Sequence, residues 1–201
     1  DASNRFVFVP HTGPNRIYQF RFNETSGMLT ANDPPFVQTP NRTGPRHVAF
    51  HPTQPIVYFD NEQGSSVTSY RLDTEQGTLS PIETLPTIPE NFTENNSCAR
   101  LQISSDGRFL FAANRGHDSL AGFAVDAKTG RLTALGQTPT EKTPRSFNID
   151  PSSRFVYAAG QAADKLAAYR LGEDGRLTRF ATYEVGKTPW WVLTVRFTEA
   201  P

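Results

Sequence analysis

Five side chains that could carry hydrolytic chemistry occur in this sequence at matching places of similar segments. They are Arg46, His47, Glu62, Arg115 and Arg145. A carboxylate or an imidazole can act as the base that activates water, and an arginine can stabilise a developing oxyanion. A guanidinium also binds phosphate or carboxylate through a planar fork of donors. These residue types predict hydrolysis of an anionic substrate, provided that the fold brings them together.

The elements that must position them belong to a repeat of about fifty residues. Its clearest markers are strand-like anchors, and they are Arg5-Phe-Val-Phe-Val, Pro55-Ile-Val-Tyr-Phe, Arg108-Phe-Leu-Phe-Ala and Arg154-Phe-Val-Tyr-Ala. A Gly-x-Leu-Ser/Thr turn follows each anchor, and its glycines are Gly27, Gly77, Gly130 and Gly175. The glycines are separated by 50, 53 and 45 residues, so independent markers keep one period.

Each unit contains four short segments rich in Val, Phe, Tyr, Leu and Thr, bounded by Gly, Pro, Asn or Asp. Such segments are typical of strands joined by turns. Four strands in about fifty residues predict an all-β fold, a β-propeller of four-stranded antiparallel blades. We expect whole blades over 44–87, 97–139 and 143–185, within a single domain over 1–201.

The fourth blade is predicted to be split between the two ends of the chain, 1–43 and 188–201. The chain begins in the second strand of a blade, at Phe6 to Pro10, and ends with the first strand of another, at Trp190 to Phe197. The last strand could therefore complete the first blade and remove exposed strand edges. Four blades is the lower limit for such a ring, so we expect this chain to be part of a larger ring.

Aligning the units predicts which residues share a position around the channel. Arg46, Ala99, Arg145 and Trp190 should form one ring of equivalent positions. A second ring on the same side should contain Thr12, Glu62, Arg115 and Gln161. Arginines at such places can instead pair with acids or carbonyl groups between blades, a structural role that stays open for each of them. The two tryptophans, Trp190 and Trp191, are expected to pack against the inner strand, with Trp190 as a possible wall of the channel.

The quoted segments resemble the lactonase family of seven-bladed propellers, which includes a bacterial 6-phosphogluconolactonase and a fungal cyclase acting on carboxymuconate. The most specific pieces are Gly44-Pro-Arg-His-Val-Ala-Phe-His-Pro, Asn61-Glu-Gln-Gly-Ser-Ser-Val, Pro89-Glu-Asn-Phe, Ile103-Ser-Ser-Asp-Gly-Arg-Phe-Leu-Phe-Ala-Ala-Asn-Arg, Thr143-Pro-Arg-Ser-Phe-Asn-Ile-Asp and Val185-Gly-Lys-Thr-Pro-Trp-Trp-Val. The resemblance covers all 201 residues and corresponds to the carboxyl-terminal four blades. Three amino-terminal blades of the family pattern lie outside this sequence.

The resemblance implies a hydrolase of sugar lactones, with 6-phosphoglucono-1,5-lactone of the pentose phosphate route as the expected substrate. Glu62 or His47 would be the base, with Arg46 and Arg145 facing the oxyanion. Arg115 would bind the phosphate, and the other substrate-binding candidates are Asn61 and Gln161. Two alternatives stay open: a cycloisomerase of muconate-like diacids, and a propeller that binds a ligand or protein without catalysis.

The counts of charged residues, cysteines and histidines limit the partners and cofactors that we expect. Twenty basic and twenty acidic residues balance, and no basic patch stands out, so neither nucleic acid nor a membrane surface is expected as a partner. No stretch reaches the roughly eighteen apolar residues of a spanning helix. The single cysteine, Cys98, excludes an intrachain disulfide and favours a reducing, cytoplasmic location. No histidine pair has metal-ligand spacing, so we expect no metal and no cofactor.

Overall fold

The computed structural model describes residues 1–197 and shows fifteen β-strands within that range, arranged as four antiparallel sheets. We call the sheets blades A to D. Blade A has three strands and the others have four, and in every blade strands adjacent in sequence are adjacent in space. The all-β prediction, with four-stranded antiparallel blades, is confirmed.

The strand bounds follow the predicted segments closely. Blade A contains β1 (Phe6–His11), β2 (Arg16–Phe22) and β3 (Leu29–Gln38). Blade B contains β4 (Pro45–Phe50), β5 (Ile56–Asn61), β6 (Ser66–Asp73) and β7 (Thr78–Pro86). Blade C contains β8 (Ser97–Ile103), β9 (Phe109–Arg115), β10 (Ser119–Val125) and β11 (Leu132–Pro139). Blade D contains β12 (Pro144–Ile149), β13 (Phe155–Gly160), β14 (Lys165–Leu171) and β15 (Leu177–Glu184).

The core lies between the blades, and β5 shows why the strand segments are so apolar. Every residue of β5 is buried. Successive side chains of a strand point to opposite faces, so Val57 and Phe59 pack with blade A while Ile56 and Tyr58 pack with blade C. Burying a large apolar side chain contributes about 1.5–3 kcal/mol. Packing on both faces of the inner strands therefore stabilises the stack of blades.

The repeated glycine has a packing reason as well as a conformational one. Gly77, Gly130 and Gly175 all have φ between +70° and +80°, a region that favours glycine. A Cβ atom on Gly77 would lie 2.1 Å from the ring of Phe6 in the preceding blade. The corresponding atom on Gly130 would lie 2.7 Å from Ile56. Each glycine turn is thus pressed against the blade before it.

The innermost strands stand side by side, β4 next to β8 and β8 next to β12, and they form a wall of the channel. Residues 188–197 follow on the free side of β12. The backbone N–H of Val192 donates to Ser146 Oγ at 3.1 Å, and that of Thr194 donates to Asn148 Oδ1 at 3.0 Å.

The strand predicted over Trp190 to Phe197 does not form in this structure, and blade A keeps three strands. The physical reason is that these residues bond to side chains of β12, at the opposite end of the row of blades from β1. Residues 198–201, the end of the predicted split blade, lie outside the described residues. The division into one split blade and three whole ones within a larger ring stays a prediction.

Candidate active site

A β-bulge at the start of each inner strand sets the position of the candidate residues. In blade B, Pro45 pairs with Asn61 and Val48 pairs with Phe59, so Arg46 and His47 both stand opposite Asp60. The register shifts in the same way between Cys98 and Leu101 in blade C, and around Arg145 in blade D. A bulge bends the strand and re-aims its side chains. At each bulge, two successive side chains therefore lie at the mouth of the channel, whereas in a regular strand only every second side chain would face it.

Glu62 is held between two arginines from adjacent blades. Its Oε2 lies 3.3 Å from Arg46 Nε, and its Oε1 accepts a hydrogen bond from Arg115 Nη2. Arg115 Nη2 also donates to the carbonyl oxygen of Cys98 at 3.0 Å. The three charged side chains are 14–25% exposed, so they are shielded from bulk water but remain accessible. The carboxylate is fixed in place at the seam between blades B and C.

The peptide of Glu62 is fixed too, which makes the site rigid. Its N–H donates to the carbonyl oxygen of Gly44 at 2.7 Å, and its own carbonyl accepts from Cys98 N at 3.1 Å. Gln161 N makes the equivalent bond to Thr143 O at 2.9 Å in blade D. Glu62 and Gln161 therefore occupy matching rim positions, as the alignment of the repeats predicts.

Arg46 and His47 share their contacts on the side facing blade C. Arg46 Nη1 donates to Ala99 O at 3.0 Å and lies 2.8 Å from His47 Nδ1, which itself contacts Ala99 O. An imidazole nitrogen either donates or accepts, so the contacts of Nδ1 with Arg46 and with Ala99 O are alternatives that depend on the tautomer. The Arg-His pair thus links the inner strands of the two blades.

Asp60 is a fully buried carboxylate behind this pair. Its Oδ1 accepts the backbone N–H of His47, while Oδ2 is 3.7 Å from His47 Nδ1, too far for a hydrogen bond. Oδ2 has no hydrogen-bond partner in the described part of the chain. Burial raises the pKa of Asp60, although its contacts with His47 and the charge of Arg46 oppose the rise. An incompletely paired buried acid beside a histidine and an arginine is costly, which makes Asp60 a candidate functional residue.

Two more arginines each stack on a tryptophan of the C-terminal segment. The guanidinium carbon of Arg145 lies 4.1 Å from the ring centroid of Trp190, and that of Arg100 lies 4.2 Å from Trp191. Both tryptophans remain 59% exposed. Such cation–π contacts fix the plane of a guanidinium without using its N–H donors. Trp190 and Trp191 therefore orient arginines, a role beyond the packing expected of them.

The site carries a surplus of positive charge. Burial lowers the pKa of Arg145, and the charges of Arg115 and Arg46 lower it further, against the opposing charge of Glu62. Arginine nonetheless stays protonated in proteins, so burial and the neighbouring cations act on a guanidinium that remains charged. Three arginines around one glutamate favour an anionic ligand or a developing negative charge.

A cleft of about 350 Å³ is lined by residues of the inner strands, and His47 is the member of the cluster that lines it. Its lining also includes Arg100, Leu101, Asp150 and Ser153. Small-molecule sites typically measure about 300–1,000 Å³. In residues 1–197, no three His, Cys, Asp or Glu side chains come close enough together to hold a metal ion.

Comparison with known proteins decides the family. The model of a family described as "Lactonase, 7-bladed beta-propeller" matches residues 1–194. The chain belongs to the lactonase family. The predicted resemblance to this family is confirmed.

Solved structures agree with this assignment. The periplasmic gluconolactonase of Pseudomonas aeruginosa is 31% identical, with a TM-score of 0.86 over 92% of this chain and 52% of that one. A candidate 6-phosphogluconolactonase of Bacteroides fragilis is 26% identical, with a TM-score of 0.85 over 94% and 54% of the two chains. A Lactobacillus plantarum protein is 29% identical, with a TM-score of 0.82 over 88% and 51%. This lactonase-family chain therefore spans about half the length of the structures that it matches.

The predicted site residues are brought together to different degrees. Arg46, His47, Glu62 and Arg115 form one connected cluster, and Arg145 lies within electrostatic reach of it. Gln161 reaches the same rim in blade D but forms no hydrogen bond with that cluster within residues 1–197.

The structure gives Asn61, which is predicted to bind substrate, partners within its own blade. Asn61 is completely buried inside blade B, where its amide donates to Ser66 Oγ at 3.0 Å and to Thr68 Oγ1 at 2.9 Å. Asn114, the equivalent residue of blade C, likewise bonds to Ser119 Oγ at 3.2 Å. A contact that recurs between blades shows that this asparagine closes the hairpin. Its role in substrate binding stays a prediction.

Sequence reasoning missed Asp60 and Arg100. A signal for Asp60 was present in the alignment of the repeats, because blades C and D place Ala113 and Ala159 at its position. Arg100 stands at the position of His47, and blade D has Ser146 there. Both break the pattern by being charged where at least one other unit is neutral.

Proposed function

We propose that this chain carries the active site of a hydrolase of sugar-acid lactones. The observation that supports this most directly is the Glu62 carboxylate held between Arg46 and Arg115 at an exposed rim, in a chain of the lactonase family. Lactone hydrolysis needs a base for water and cations for the oxyanion, and this cluster supplies both.

In the proposed reaction, Glu62 takes a proton from a water molecule as the water oxygen attacks the lactone carbonyl carbon. The carbonyl π electrons move to oxygen and form a tetrahedral oxyanion, which Arg46 and Arg145 stabilise. The intermediate collapses, the bond from carbonyl carbon to ring oxygen breaks, and the ring oxygen takes the proton held by Glu62 to become a hydroxyl group, which regenerates the carboxylate. The product is the open sugar acid. His47, whose backbone is tied to Asp60, is the alternative base.

The substrate that we favour is 6-phosphoglucono-1,5-lactone, because the cation surplus around Glu62 suits an anionic sugar. This substrate would place the protein in the oxidative pentose phosphate route and in the cytoplasm. The Pseudomonas relative is named as a periplasmic gluconolactonase, so the neutral lactone is the first comparison to make. None of the residues from 1 to 197 forms a helix long and apolar enough to cross a membrane.

The test uses the protein at its full natural length and compares its hydrolysis of glucono-1,5-lactone with that of the 6-phosphate. Glu62→Gln should lower kcat by roughly 100- to 10,000-fold, the usual contribution of a positioned base. The matched control is Glu83→Gln, because Glu83 also pairs with an arginine of blade C, Arg131, at 2.7 Å, but belongs to an outer strand. Wild-type rates in the Glu62 variant would remove this residue from the mechanism.

A cycloisomerase of carboxymuconate-like diacids is the second candidate. The observation that favours it is the set of three arginines around one glutamate, which would also bind two or three carboxylates. Turnover of a carboxymuconate, with no hydrolysis of either gluconolactone, would decide for it. Ligand binding without any product would instead indicate a non-catalytic propeller.

A further inference from the structure

Arg100 is the charged residue of the cleft that the proposed mechanism leaves unused. It is the second bulge residue of β8, next to Ala99, whose carbonyl receives the Arg46 hydrogen bond. It lines the 350 Å³ cleft together with His47. A group bound by Arg100 would therefore share the cleft with His47, whose ring contacts Arg46.

The charge of Arg100 is not neutralised by a partner. None of the ion pairs within residues 1–197 includes it, whereas Arg46 and Arg115 share Glu62. Its Nε is buried and has no hydrogen-bond partner in the same range. Burial lowers the pKa of Arg100 and the charge of Arg46 lowers it further, while Asp60 opposes both. Arg100 as a whole is half-buried, so its remaining donors stay accessible. A partly buried cation that keeps unused donors is suited to binding an anion.

The remaining polar groups of the cleft are already engaged. Asp150 accepts hydrogen bonds from the Ser152 hydroxyl and from the backbone N–H groups of Ser152, Arg154 and Phe155. Gln102 Oε1 accepts the Ile149 N–H at 2.8 Å. These oxygens are committed to turns and strands, and Arg100 is the arginine among the residues that line the cleft.

Trp191 supports this role because its ring covers one face of the guanidinium. A stacked arginine loses rotational freedom, so fewer conformations have to be given up when a ligand binds. Arg115 Nε is also buried without a hydrogen-bond partner, but Arg115 spends Nη2 on Glu62 and on the Cys98 carbonyl, and its side chain is only 14% exposed. Arg100 is thus better placed than Arg115 to bind the phosphate.

We propose that Arg100 binds the phosphate monoester of the substrate and thereby sets the preference for phosphorylated over neutral lactones. This proposal rests on the lactonase function proposed above. The lactone carbonyl would lie at Arg46 and Glu62, and the phosphate would reach along the cleft to the fork of Arg100.

The experiment compares kcat/KM for 6-phosphoglucono-1,5-lactone and for glucono-1,5-lactone in the full-length wild type, Arg100→Gln and Arg100→Lys. Losing charged hydrogen bonds should lower kcat/KM for the phosphorylated lactone roughly 10- to 100-fold. The neutral lactone should change by less than about threefold, because it does not use that contact. Lysine should rescue part of the loss. Arg170→Gln is the matched control, since Arg170 stacks on Phe180 at 5.2 Å but is exposed on the outer part of blade D.

An equal loss on both lactones, or no loss on either, would overturn the role of Arg100. If the wild type hydrolyses neither lactone, the proposed function fails, and calorimetric titration with inorganic phosphate and 6-phosphogluconate tests Arg100 by itself. The role of Arg100 is supported if the wild type binds these anions and Arg100→Gln binds them at least tenfold more weakly. Circular dichroism and the unfolding midpoint of the variant must be unchanged. No binding to the wild type, or equal binding to both, would refute it.

Discussion

Asp60 is predicted to make the stability of this protein depend on pH in an unusual direction. Most of the acids with shifted pKa values in this chain have them lowered, but burial raises the pKa of Asp60 above its ordinary 3.8 against the opposition of His47 and Arg46. Asparagine is nearly isosteric, its Oδ1 can still accept the His47 N–H, and it does not ionise. Asp60→Asn therefore isolates the effect of the buried charge.

The direction in which stability changes with pH follows from the number of protons bound in the folded and unfolded states. Below pH 3.8, Asp60 is protonated in both the folded and the unfolded wild type, so wild type and variant should differ little. As pH rises above 3.8, the carboxyl ionises first in the unfolded state, which then binds fewer protons than the folded state and is favoured. The wild type should lose free energy of unfolding relative to Asp60→Asn until the pH passes the folded pKa. The loss amounts to about 1.4 kcal/mol for each unit between the two pKa values.

The assay is urea unfolding at intervals between about pH 2 and pH 8, followed by circular dichroism and tryptophan fluorescence. Asp106→Asn is the control with the opposite sign. Partial burial works to raise the pKa of Asp106, but the Ser104 hydroxyl and Arg108 outweigh it and hold the pKa at about 2. The wild type should gain stability relative to that variant as pH rises from about 2 to 4. A difference between Asp60→Asn and wild type that stays constant over the whole pH series would refute a buried, ionisable Asp60.

Three further substitutions test the architecture around the site. Asn61→Ala should lower the free energy of unfolding by about 1–3 kcal/mol, because it leaves the Ser66 and Thr68 hydroxyls without their amide donor. The KM of this variant should stay unchanged. A raised KM with normal stability would instead support substrate binding by Asn61. Tyr58→Phe removes the 3.1 Å hydrogen bond from the Tyr58 hydroxyl to the Gly130 carbonyl, which joins blades B and C. It should lower the free energy of unfolding, measured in urea, by about 1 kcal/mol. An unchanged unfolding midpoint would show that this bond does not contribute to stability. Gly130→Ala should lower the free energy of unfolding more than Tyr58→Phe does, because φ of Gly130 is +71° and the new Cβ would lie 2.7 Å from Ile56. A smaller loss of stability would mean that the turn can move away from Ile56.

The repeat is the part of the fold that is most directly readable from the amino-acid sequence. Strand chemistry is local: β-branched and aromatic residues together with turn-forming Gly, Asp and Asn specify each hairpin without distant contacts. The even period then determines which residues occupy equivalent positions, which is why the residue pattern alone is enough to select Arg46, Glu62, Arg115 and Arg145. The same logic pairs Asn61 with Asn114, although only the structure shows that both side chains are buried.

Tertiary structure decided the contacts that turn these positions into a site. Two bulge residues emerge together at the mouth of each inner strand in blades B and C, a departure from strict alternation that no period of two predicts. The packing of blade B against blade C joins Glu62 to Arg115, and it buries Asp60 behind His47. These effects depend on which blades are neighbours and how closely they approach. The residue types of the site are therefore predictable from the sequence. The packing of one blade on the next determines which partner each charged side chain has, how deeply it is buried and which of its donors stay exposed.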